Sequence, residues 1–156
     1  MERRRAALTA TALLAAGSLT GCAGEPAWFT ASVLRDAGVE LVLLESTGAQ
    51  NVGFTDMARY GTLLYDGRCW RLRADDGAEP AGVYAVGWAD STLGVSADPA
   101  TLTPRPDLDV DPVAAGDYVL YGGGQIPVER VDGYPEECQQ GTDGIVMIND
   151  ARIPPA

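Results

Sequence analysis

Thiols and carboxylates are the groups of this 156-residue chain with the widest chemical reach, because it contains neither histidine nor lysine. Without imidazole, a serine or cysteine nucleophile lacks its usual general base, and the commonest zinc ligand is missing. Without an ε-amino group there is neither a Schiff base nor a P-loop lysine. What remains is three cysteines, Cys22, Cys69 and Cys138, and 22 carboxylates.

The carboxylates fall into patterns that stop short of a site. Asp107, Asp109 and Asp111 alternate as at the opening of a calcium loop. A full loop starting at Asp107 needs glycine at its sixth position and glutamate at its twelfth, where Pro112 and Tyr118 stand. A solvated acidic loop over 107–111 is therefore expected, with a calcium-dependent module as the alternative. Asp75 with Asp76, and Glu136 with Glu137, offer pairs for glycan hydrolysis, but a general acid needs burial and both pairs sit in turn-like surroundings. Gly94-Val95-Ser96-Ala97-Asp98 breaks the nucleophile-elbow pattern at its last residue. Gly122-Gly123-Gly124 precedes the strand-like Gln125-Ile126-Pro127-Val128 instead of a helix, which points to a hairpin or bulge with close backbone approach. Trp70, Trp88, Tyr118 and Tyr121 lie in predicted strands, where core or cross-strand packing is expected and a ligand groove is the alternative. These residues imply no catalytic group, cofactor or metal.

The first 21 residues read as an export leader: Arg3, Arg4 and Arg5, then a weakly apolar stretch from Ala6 to Leu19, then small residues. That stretch is too short to span a bilayer, which takes about 20 apolar residues. Leu19-Thr20-Gly21-Cys22 resembles the lipobox of bacterial lipoproteins. The resemblance implies cleavage before Cys22, a diacylglycerol on its thiol, and a domain held at the outer face of the cytoplasmic membrane. Two or more acyl chains anchor stably where one does not. The arginine cluster fits either a general or a twin-arginine export route.

Export determines how the other cysteines are read. Cys69 and Cys138 form an even pair in an oxidising compartment, so a disulfide is expected. Removing the leader takes three arginines and one glutamate away, leaving 135 residues with 8 basic and 21 acidic side chains, a formal charge of −13. A surface so acidic excludes nucleic acid and direct adhesion to anionic lipid, both of which need a basic face.

The elements that must position these groups are mainly β. Residues 22–29 read as a tether, 30–150 as a single β-rich domain and 151–156 as a tail. Thr30 is placed to cap a short helix from Ala31 to Ala37, and Val39 to Glu45 is an apolar run of strand length. Tyr60–Tyr65 and Arg68–Arg73 flank Asp66-Gly67, a strong hairpin signal. Val83–Trp88, Tyr118–Tyr121, Ile126–Val131 and Gly144–Asn149 supply further strands. Pro99, Pro104 and Pro106 mark 98–111 as a loop or an edge. Short strands with frequent turns predict a small β-barrel or sandwich of about six strands.

Taken in order, Gly61-Thr62-Leu63, the Asp66–Leu72 stretch, Gly87-Trp88, Asp111-Pro112-Val113, Gly116-Asp117-Tyr118-Val119, Gly122-Gly123-Gly124 and Cys138 resemble a pattern in small exported actinobacterial domains. The likeness covers roughly 58–149 and implies a small β-barrel closed by a disulfide, with no catalytic residue. The function expected is non-enzymatic: an envelope domain that binds another envelope component. A carboxylate-dependent cell-wall glycan hydrolase is the alternative of a different class.

Overall fold

A computed structural model describes residues 24–36, 38–49, 59–75, 80–89, 94–97, 100–103 and 111–155. Leu19, Thr20, Gly21 and Cys22, together with Asp76, Asp107 and Asp109, lie outside the described residues.

The chain runs β1 (Phe29–Asp36), β2 (Val39–Ser46), β3 (Arg59–Tyr65), β4 (Trp70–Ala74), β5 (Gly82–Trp88), β6 (Gly94–Ala97), β7 (Ala100–Thr103), β8 (Val113–Ala114), β9 (Tyr118–Ile126), β10 (Val131–Asp132), α1 (Glu136–Gln139) and β11 (Ile145–Arg152). The expected barrel is present. Strands β5, β11, β9, β3 and β4 hydrogen-bond in that order, and β4 returns to β5, closing a five-stranded ring. Only β5–β11 is parallel within it. β2 joins the ring at Leu43↔Trp88, and β1 and β10 extend the sheet outward from β2.

Alternation along the ring strands separates two cores. Inside stand Leu63, Trp70, Leu72, Tyr84, Val86, Trp88, Val119, Tyr121, Val146 and Ile148, all buried. Val39 and Leu41 of β2, with Leu102 and Val113 of the small β6–β7–β8 sheet, join this cluster from outside the ring and close it over. Outward residues of β5 and β11, namely Ala85, Ile145 and Met147, pack beneath β1, β2 and α1 with Phe29, Val42 and Leu44. Tyr134 belongs to this outer core: its hydroxyl donates to the Val86 carbonyl at 2.8 Å, and burial pushes its phenol well above the usual range.

The Cys69–Cys138 disulfide ties the β3–β4 turn to α1, with Cα atoms 5.4 Å apart. Cross-linking residues 69 apart in sequence stabilises the fold by about 4 kcal/mol in the chain-entropy account.

Several local expectations are corrected. Of the helix expected over Ala31–Ala37, the described residues Ala31–Asp36 are strand β1, paired with β2 from Phe29↔Ser46 to Asp36↔Val39. A helix of two turns is too short to hold alone, whereas β2 offers a full ladder and an apolar face. Phe29, expected in the tether, is already in β1, and β11 runs to Arg152, inside the stretch expected as tail. Within 98–111, Ala100–Thr103 is the middle strand of the small sheet, in an interval that the prolines flank but do not enter. The strand expected over Ile126–Val131 ends at Ile126 and gives way to a 3-10 turn over Val128–Arg130.

The glycine triplet makes no hairpin: β9 runs straight through it, and the bulge lies on β11, where pairing jumps from Ile148↔Gly123 to Asp150↔Gly122. At Gly123, φ is +139° and a Cβ would fall 1.9 Å from the Met147 carbonyl oxygen. We predict that Gly123→Ala lowers unfolding free energy by about 3 kcal/mol or more, read from urea denaturation. A loss near zero would mean that the two backbones do not approach as closely as described.

Candidate functional site

Among the described residues the sequence's candidate groups do not converge. Trp70, Trp88 and Tyr121 face the barrel interior, Trp70 meeting Trp88 edge-on with centroids 6.3 Å apart. Glu136 and Glu137 are exposed on the single turn of α1, and Glu137 is engaged by Arg68 at 2.7 Å. Asp75 is exposed, and its expected partner Asp76 is not described. Asp111 is exposed, and the other two carboxylates of the acidic loop lie outside the described residues. Ser96 lies on β6, whose backbone alone is described. Among the described residues no carboxylate is buried, and no three His, Cys, Asp or Glu side chains stand close enough to hold a metal ion.

Many of the charged groups hold the fold together. Asp66 in the β3–β4 turn accepts from the Arg68 and Cys69 backbone N–H groups at 3.0 and 2.8 Å. Partial burial by itself would raise its carboxyl pKa, but those two bonds and the nearby Arg71 outweigh it and hold the group below its ordinary range. Arg71 reaches Asp66 at 3.5 Å and the Gln140 carbonyl at 3.4 Å. Arg68 bridges Glu137 and, at 3.8 Å, Glu40, which also accepts from Arg35 at 2.7 Å. This lattice spans the disulfide, and its exposed pairs each contribute a few tenths of a kcal/mol to about 1 kcal/mol. A cleft of about 420 Å³ beside it is lined in part by Asp66 and Arg71, already committed to these contacts. A second cleft of about 330 Å³ lies between β2 and Ala89, with Ser32, Glu45 and Ser46 at its margin.

Among the described residues, the outer wall of β3 and β9 presents a row of exposed side chains. Directly opposed residues of antiparallel strands project on one face. Here the opposed rows are Arg152, Leu120 and Tyr60, and beside them Tyr118, Thr62 and Arg73. Tyr60 and Tyr118 are 46 % and 47 % exposed, with nearly parallel rings whose centroids lie 5.9 Å apart. The Tyr118 hydroxyl donates to Asp75 Oδ2 at 2.7 Å, and the Asp75 backbone N–H donates to the Tyr60 carbonyl. The result is a flat aromatic pair with a fixed carboxylate at its rim.

Tyr118 was visible in the sequence as an aromatic strand residue, but its partner Tyr60 was not singled out. The usable signal is parity. Gly61 and Leu63, Val119 and Tyr121 point inward, so Tyr60 and Tyr118 must point outward.

No protein family, curated protein or solved structure matches the chain.

The hydrogen bond to Asp75 is the main reason the Tyr118 phenol titrates above its ordinary value of 10.0, with slight desolvation and the Asp75 charge acting in the same direction. A phenol raised on folding contributes stability that is present below its unfolded pKa and lost as pH rises through the folded value. Asp75→Asn is predicted to bring the Tyr118 titration back toward its ordinary value, followed by the chemical shift of its ring carbons. An unchanged titration would mean that the Tyr118–Asp75 bond does not persist in solution.

Proposed function

We propose that this chain is a membrane-anchored envelope lipoprotein whose barrel is a non-enzymatic binding domain, engaging another envelope component through Tyr60, Tyr118 and Asp75. The observation that carries the reading is the exposed tyrosine pair. Tyrosine combines a large rigid ring with a polar tip, and it is enriched where protein surfaces are recognised. Two such rings side by side leave apolar area in water that a partner would cover. Asp75 adds an acceptor of fixed direction. The acidic balance of the chain favours a partner presenting neutral or basic groups.

The anchor follows from the lipobox-like Leu19-Thr20-Gly21-Cys22 and from the charge of the chain it precedes. No helix among the described residues is long and apolar enough to cross a membrane. With few basic groups to hold anionic lipid, acyl chains on Cys22 supply the attachment.

Two experiments test the reading. Cross-linking in intact envelopes is expected to join the wild-type chain to one recurrent component and to lose that product at least tenfold when Tyr60 and Tyr118 are both alanine, the loss of about 1.4 kcal/mol or more expected of an aromatic anchor. Turnover of a cell-wall glycan by the purified protein, with no recurrent cross-link, would contradict it. Separately, Cys22→Ser is expected to move the domain from the membrane to the soluble fraction after processing. A processed variant that stays firmly membrane-bound would sink the anchor.

A further inference from the structure

We propose that the sheet edge carrying Trp28 and Arg130 lies against the lipid headgroups, so that the domain is held in one orientation with its tyrosine face turned away from the bilayer. The proposal rests on the reading of Cys22 as the lipid-bearing residue.

The first argument is chain length. Three residue steps separate Cys22 from Glu25, and an extended chain covers at most about 10 Å in that distance. The headgroup layer of one leaflet is itself roughly 5–8 Å deep. From Glu25 onward the chain is fastened to the domain. The Glu25 carboxylate pairs with the Arg130 guanidinium. The Trp28 backbone N–H donates to the Arg130 carbonyl at 2.8 Å, and the Thr47 N–H donates to the Trp28 carbonyl at 2.9 Å. The Thr47 hydroxyl donates to the Ala27 carbonyl at 2.7 Å. An acyl group on Cys22 therefore pulls on a folded edge, with almost no flexible linker between.

The second argument is side-chain chemistry. Trp28 is half-buried beneath Arg130, whose guanidinium carbon stands 5.3 Å from the ring centroid. The other two tryptophans, Trp70 and Trp88, are sealed inside the barrel. Trp28, packed against the outer core on one side, is thus the one indole that reaches the surface, a side chain that favours membrane interfaces. Val128, 38 % exposed, and the exposed Pro26 and Pro127 add apolar area nearby. Exposed Glu45, Glu129 and Asp132 also stand on this side, so the edge orients the domain while the acyl chains hold it there.

The third argument is topology. β1 and β10 attach to the ring through β2 and β5. In the ring the neighbours of β5 are β4 and β11, leaving β3 and β9 across the barrel from it. β9 meets the Trp28–Arg130 edge only at its far end, where Ile126 packs with Phe29 and Val131, and Tyr118 lies eight residues back along the strand, about 26 Å at 3.3 Å per residue.

The test uses lipidated mature protein purified from membranes and placed in zwitterionic lipid nanodiscs containing a paramagnetic headgroup lipid. Backbone amides of Trp28, Thr47 and Arg130 are expected to relax several-fold faster than those of Tyr60, Thr62 and Tyr118. Equal relaxation of the two sets, or the reverse order, in protein that stays bound to the discs overturns the orientation while leaving the anchor standing. Absence of an acyl mass on Cys22 overturns the anchor, and this proposal with it. A flexible insert of about ten glycines and serines between Gly24 and Glu25 lengthens the path by some 15–20 Å. It is expected to even out the relaxation with binding retained, and an unchanged contrast would overturn the short path as its cause.

Discussion

Everything in this fold depends on β5 being hydrogen-bonded along both edges. It receives β4 antiparallel on one side and β11 parallel on the other, and that double pairing turns a sheet into a closed ring. Closure sends Tyr84, Val86 and Trp88 into the interior and leaves Ala85 and Gly87 on the outside. Gly87 leaves room for the Leu44 side chain there, since a Cβ would stand 2.3 Å from Leu44 Cδ1. The β1–β2–β10 extension, and with it the edge at Trp28, joins the ring through β2 beside that contact. The ring also sets the tyrosine face, because Tyr60 and Tyr118 have fixed outward directions only while Leu63, Val119 and Tyr121 are held inward.

The sequence was informative where a physical signal was local. Asp66-Gly67 between two apolar segments located the β3–β4 hairpin, although the connection is four residues long, Tyr65↔Trp70 being the last pair, because Asp66 accepts from two backbone N–H groups of its own turn. An even pair of cysteines, read as exported, indicated the disulfide, and close backbone approach at the glycine triplet was legible from glycine content alone. What could not be read is non-local. The parallel β5–β11 pairing that closes the ring brings together residues about 60 apart, with no sequence mark at either strand. β1 looked helical because its residues suit a short helix, and only the β2 ladder decides otherwise.

The candidate site was harder to read for a related reason. Residue types that carry chemistry by themselves, the acidic pairs and the serine and glycine motifs, form no cluster among the described residues. Tyr60 and Tyr118 are 58 positions apart and carry no motif. They become a surface only when β3 pairs with β9 and the register sets Thr62 opposite Tyr118. A surface built on a sheet wall needs no local signature.

In a closed and rigid ring the Trp28–Arg130 edge and the tyrosine face belong to one body. Native-state hydrogen exchange at the β4–β5 seam tests this most directly, at the backbone amides of the Leu72↔Tyr84 and Ala74↔Gly82 pairs; the Val83 and Ala85 N–H groups donate to Asp143 and the Gly144 carbonyl instead. Hydrogen-bonded seam amides are expected to exchange as slowly as those of the β9–β11 ladder, through global unfolding. Seam amides that exchange orders of magnitude faster than that ladder would show an open sheet and contradict the account.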